Sequence, residues 1–200
     1  MKQLLCASLT TTLLFSFTST SRAEEPAKSD KKPAAKTKAV AAGDLKLNVP
    51  ESWKQNKSAS GMRAAEFEVP PVGDDKEAGE FVVFFFGKGG AGGVQANIER
   101  WVGQVEEDGR KVKIVSGESP SGKYTLVDLT GNYNKSIGPP VAGKKKRLTG
   151  WRVINVAIET EGGPYYLKLD GPAKTIAAIE DDLRASFGGK KDSEKEQKSE

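Results

Sequence analysis

Gly87-Lys88-Gly89-Gly90-Ala91-Gly92 is the stretch whose residue types and spacing come nearest to a chemical signature. It fits G-x-G-x-x-G, follows the apolar run Phe81 to Phe86 and precedes a helix-period pattern, with acids further on at Glu107 and Asp108 where a dinucleotide fingerprint asks for one. The surroundings argue against that fingerprint. Strands precede the motif without alternating with helices, and Glu106 to Asp108 read as the end of a helix, not the tip of a second strand. No Gly-Lys-Ser or Gly-Lys-Thr follows, so a Walker loop is absent. Two readings remain open. In one, unpaired N–H groups at the helix start, helped by Lys88, seat a small phosphate-bearing anion on Gly89, Gly90, Gly92 and Gly93. In the other, the glycines only turn the chain sharply off a crowded strand.

Lys144-Lys145-Lys146-Arg147 is the one dense basic run. It suits an anionic polymer or a partner protein, but no aromatic is interleaved to stack a base, so no nucleic acid is expected. Trp53, in the turn after Pro50, and Trp151 stand at the starts of elements, positions from which a half-exposed indole can serve a partner surface or pack at the core edge. Trp101 falls on a helical apolar stripe and belongs in the core. The acid clusters Asp74-Asp75, Glu106-Glu107-Asp108 and Glu180-Asp181-Asp182 lack the alternation of a calcium loop and read as solvated faces.

The chain contains no histidine, and its one cysteine, Cys6, lies in the first residues. Zinc, copper and haem sites of the usual kinds lose their ligands, and Ser-His-Asp or Cys-His catalysis loses its base or nucleophile. No metal or cofactor is expected. Carboxylate-based hydrolysis survives as a third functional reading.

Lys2, the apolar stretch Leu4 to Phe17 and Ser21-Arg22-Ala23 have the make-up of a secretory signal, which predicts a leader over residues 1–23 and export to the periplasm or beyond. Its interrupted apolar stretch is too short to span a bilayer, so no transmembrane anchor is expected after cleavage. Residues 24–43, rich in Pro, Ala and Lys, and the charged residues 189–200 lack the apolar content to order themselves and are expected to be a disordered linker and tail. Much of the chain's net charge of +4 lies in the leader and linker, which leaves a near-neutral single domain at 44–188.

Within that domain Leu45, Leu47 and Val49 alternate as a strand ending at Pro50, and Met62 to Val69 alternate again. Phe81 to Phe86 are apolar on both faces, which predicts a central strand covered on both sides. Val94, Ile98, Trp101, Val102 and Val105 form one stripe of a helix. Lys111 to Val115, Thr125 to Tyr133, Trp151 to Ile158 and Tyr165 to Leu169 read as strands, with Asn132 to Arg147 as a long polar excursion. Ile176, Ile179, Leu183 and Phe187 mark a closing helix that opens at Gly171-Pro172. Clustered strands with two helices predict α+β: a mostly antiparallel sheet of about seven strands, with helices giving α/β/α-like layers around the central strand.

The run Leu47 to Trp53 (LNVPESW), a helix after an all-apolar strand, a long hairpin loop and the closing GPAKTIAAIEDDLRASF of residues 171–187 together resemble the PsbP/Mog1-type fold, over roughly Leu45 to Phe187. They are similar, more closely, to uncharacterised secreted bacterial proteins of the planctomycete type. The resemblance implies a module that binds proteins or supports assemblies without catalytic machinery, and it carries over no functional residue. The sequence thus predicts an exported, non-catalytic module that contacts another envelope or secreted macromolecule. Its alternative is a small-anion binder at the glycine-rich loop.

Overall fold

The computed structural model describes residues 35–58, 61–138 and 142–197. The expected leader and residues 24–34 of the expected linker lie outside them. The described elements are β1 (Thr37–Ala42), β2 (Leu45–Pro50), β3 (Lys54–Gln55), β4 (Arg63–Val69), β5 (Gly79–Phe85), α1 (Val94–Val102), β6 (Lys111–Ser119), β7 (Gly122–Ser136), β8 (Lys145–Ile158), β9 (Tyr165–Pro172), α2 (Ala173–Phe187) and β10 (Lys195–Gln197). The fold is α+β, and the sheet is larger than the pattern of apolar residues suggested. Eight strands form one antiparallel sheet in the order β10-β6-β7-β8-β9-β5-β4-β3, and β1 and β2 form a separate hairpin.

The additional strands have weak apolar patterns, because the backbone ladder, not the side chains, holds them. β1 lies in the stretch read as a disordered linker; it pairs along its whole length with β2, from Thr37–Pro50 to Ala42–Leu45, and turns Val40 and Ala42 toward the core. The expected disordered tail contributes β10, which pairs with Ile114 to Ser116 of β6. Its anchor is Glu194, which takes two hydrogen bonds from the Arg184 guanidinium at 2.8 and 3.1 Å and one from the Tyr124 hydroxyl at 3.1 Å. The polar excursion between Asn132 and Arg147 largely extends the β7–β8 hairpin, pairing Asn134 with Arg147, Lys135 with Lys146 and Ser136 with Lys145.

Two apolar clusters sandwich the sheet. One face carries α2 and the β1–β2 hairpin over Phe81, Val83, Ile154, Val156, Leu167 and Leu169. On the other, α1 sets Ile98 and Trp101 against Val127, Leu129, Val153 and Tyr166. The doubly apolar β5 buries Phe81, Val82 and Val83, but it is not central. It lies third from the β3 edge, and β8 and β9 occupy the middle. Burial of residues on both faces does not require a middle place in strand order. Because β5 and β9 run antiparallel, α1 and α2 begin at opposite ends of the sheet.

α2 starts one residue after Pro172, which still belongs to β9, and ends at Gly188 in the left-handed conformation that glycine adopts freely. Its first turn is held from outside by Asp75, whose carboxylate accepts from the Thr175 backbone N–H at 2.9 Å and the Thr175 hydroxyl at 2.7 Å. One acid of the cluster read as a solvated face therefore caps a helix.

Candidate functional site

The residues singled out from the sequence do not assemble. Lys88, Gly89, Gly92 and Gly93 lie on an exposed loop, with Gly90 half-buried. The loop is tied inward through its carbonyls: the Asn97 amide donates to Ala91 and Gly93, both at 2.9 Å, and the Tyr166 hydroxyl donates to Gly92 at 3.0 Å. A side chain at Gly90 would place its Cβ 2.2 Å from the Phe86 carbonyl oxygen, so close packing requires that glycine. The shallow groove at Gly92 and Gly93 has Glu159 as its charged group, which opposes an anion there.

Trp53 and Trp151 are 1% and 7% exposed, so neither indole presents a partner surface. Trp53 packs edge-on against Phe81 with ring centroids 5.1 Å apart. Trp151 lies inside β8, because that strand begins six residues earlier than the apolar pattern does, and its indole donates to Asp170 at 3.2 Å. Lys144, Lys145, Lys146 and Arg147 are exposed, and the Arg147 guanidinium donates to both oxygens of Glu106 at 2.7 and 2.8 Å.

A different constellation forms on the α1 face. Nine residues of helix span about 14 Å, whereas eight strands spread over about 34 Å, so α1 leaves part of its face uncovered. The uncovered part is a cleft of about 250 Å³. The ladder registers build its floor. Val82 of β5, Lys168 of β9 and Asn155 of β8 stand side by side in one row. In the next row Phe84 faces Tyr166, and on the other side Glu80 faces Asp170. α1 overhangs with Arg100 and Trp101, followed by Gln104, and the far walls are Phe86, Arg63, Tyr133 and Lys135.

The charges of the cleft are closely matched. Lys135 lies between the opposed acids, with its Nζ 2.7 Å from both Glu80 and Asp170. Lys168 is 3.5 Å from Asp170 and donates to the Tyr133 hydroxyl, while Arg63 contacts Glu66 at 2.8 Å and Glu80 at 3.2 Å. Asp170 is 2% exposed and buried charge of this kind persists only with such partners. Burial opposes the Lys135 charge, but Asp170 and Glu80 outweigh it and raise its pKa above the lysine value. Burial, reinforced by the Asp170 charge, pushes the Tyr133 hydroxyl up as well. At neutral pH Lys135 is a fixed cation and Tyr133 a neutral hydroxyl, so neither serves as a general base.

Asn155 differs from all its neighbours. It is 1% exposed, it lines the cleft, and neither its Oδ1 nor its Nδ2 has a hydrogen-bond partner. The Gln104 Oε1, across the cleft on the α1 side, is also buried and unpartnered. Reasoning from the sequence missed this whole set, although one signal was present: Asn155, Lys168 and Asp170 interrupt strands that are apolar on both faces.

No family model matches this chain, and no curated protein matches it. Among solved structures it is similar to PA94 of Pseudomonas aeruginosa, a protein of unknown function, at 14% identity and a TM-score of 0.41, over 74% of this chain and 91% of that one. No helix of the described residues is long and apolar enough to cross a membrane.

Proposed function

We propose that the chain is an exported, non-catalytic binding module of the envelope or the extracellular space, and that its binding seat is the cleft under α1. Asn155 carries this reading. A buried amide with both polar atoms unpaired costs stability in the free protein, and a complementary ligand removes that cost on binding. The mix of aromatic walls and a few convergent polar groups is that of a small-molecule site. Its size, below the range for drug-sized ligands, suits a metabolite-sized molecule.

Two competing readings have less behind them. Docking of a macromolecule through Trp53 and Trp151 needs exposed indoles, and both are buried, which leaves the exposed run Lys144 to Arg147 to support that reading. Carboxylate hydrolysis needs open space between two acids, and Lys135 fills the space between Glu80 and Asp170.

A fragment set of diverse small polar aromatics, read by tryptophan fluorescence, tests the proposal, since Trp101 walls the cleft. Hits should bind the native protein and lose at least tenfold in affinity in Asn155→Leu. If no fragment binds, or every hit binds that variant unchanged, the cleft is not the seat. Export is tested separately by fusing residues 1–43 to a reporter active only outside the cytoplasm; an inactive fusion would refute it.

A further inference from the structure

Resting on the cleft as binding seat, we infer that its ligand is a small planar ureide or lactam ring that carries one carboxylate. The edge of the ligand follows from Asn155. Its unpaired Oδ1 needs a donor and its unpaired Nδ2 an acceptor, side by side in the plane of one amide. A cyclic amide presents that pair, an N–H next to a C=O. A carboxylate alone offers only acceptors and leaves Oδ1 unsatisfied. The buried Gln104 Oε1 asks for a further donor, which a ureide supplies with the second N–H flanking its carbonyl.

The ring follows from the walls. Phe84 and Phe86 stack with centroids 6.1 Å apart, Trp101 meets Tyr166 edge-on at 6.0 Å, and all four border the cleft. Flat aromatic surfaces of this kind favour a π-face over an aliphatic chain. A cleft of about 250 Å³ holds one substituted ring and not a whole nucleotide.

The single negative charge follows from the pairing of the cations. Arg63, Lys135 and Lys168 each contact at least one of Glu66, Glu80 and Asp170. Arg100 instead donates to the neutral side-chain amide of Asn97. Of the four cations that line the cleft, Arg100 is the one without a carboxylate contact, and it stands exposed at the rim. A guanidinium there matches a carboxylate bidentately.

Three probes separate the terms: orotate has the ureide edge and the carboxylate, uracil has the edge alone, and benzoate has the charge alone. Calorimetric titration of the full chain should give orotate at least a tenfold advantage over either. Asn155→Asp, which keeps size but removes the amide donor, should lower orotate affinity at least tenfold. Arg100→Gln, at an exposed position that folding tolerates, should weaken orotate at least fivefold and uracil far less. Benzoate binding as tightly as orotate would overturn the edge assignment, and uracil binding as tightly as orotate would overturn the charge assignment. If orotate fails while other fragments bind in an Asn155-dependent way, the ligand class is wrong and the cleft stands. If no ligand responds to changes at Asn155, both readings fall.

Discussion

Asn155→Leu should make the protein more stable and, at the same time, a weaker binder by at least tenfold. The substitution keeps the branched shape and exchanges two unpartnered polar atoms for two methyl groups at a position 1% exposed, beside open cleft volume. Leaving a buried donor or acceptor unsatisfied costs about 1–3 kcal/mol, so removing both should stabilise the free protein by about that amount. For a domain of this size each kcal/mol moves Tm by roughly 2–4 °C, so a rise of several degrees is readable by differential scanning calorimetry. Ligand should then narrow the gap. At a hundredfold excess over the native Kd the native protein gains about 2.7 kcal/mol and a variant that binds tenfold more weakly about 1.4 kcal/mol. A drop in Tm for Asn155→Leu without ligand would refute the reasoning, because it would mean that the amide is satisfied in the free protein and serves the fold.

Trp53→Ala should cost about 3–5 kcal/mol, as for other buried large aromatics, and lower the urea midpoint accordingly; a near-neutral effect would contradict full burial against Phe81. Lys88→Ala should leave both stability and ligand binding unchanged, whereas Gly90→Val should destabilise through its collision with the Phe86 carbonyl, and lost ligand binding in Lys88→Ala would return the glycine loop to candidacy. Glu180 is partly buried, which raises its pKa, but hydrogen bonds and charge from Lys191 and Arg152 outweigh this and hold it below 4.5. Stability from a depressed carboxylate is present above the unfolded pKa and disappears as pH falls through the folded one. The Tm gap between native protein and Glu180→Gln should therefore be open at pH 7 and close below about pH 4.5; a gap that widens in acid would reverse the assignment.

How far the sequence was legible depended on whether apolar residues or backbone did the holding. β2, β4, β5, α1 and α2 bury regular apolar stripes, and alternation or helical spacing located each of them. β10 and the outer end of the β7–β8 hairpin, Asn134 to Ser136 against Lys145 to Arg147, are built from Lys, Arg, Glu, Gln, Asn and Ser, and only their ladders reveal them. The candidate site was half-visible in the same sense. Asn155 between Ile154 and Val156, and Lys168 between Leu167 and Leu169, violate the pattern of strands buried on both faces. Such a violation announces a partner or a ligand. What brings Val82 into the row of Lys168 and Asn155 is the pairing of β5 with β9, strands far apart in sequence, which no local pattern encodes.

The glycine-rich loop gains a different role from this geometry. Its carbonyls are held by Asn97 on α1 and by Tyr166 on β9, and the Tyr166 ring is itself a wall of the cleft. α1 contributes Arg100 and Trp101 to the cleft that Asn155 also lines. The loop with the look of a nucleotide cradle is thus bonded to two elements of the cleft, α1 and β9, through its carbonyls.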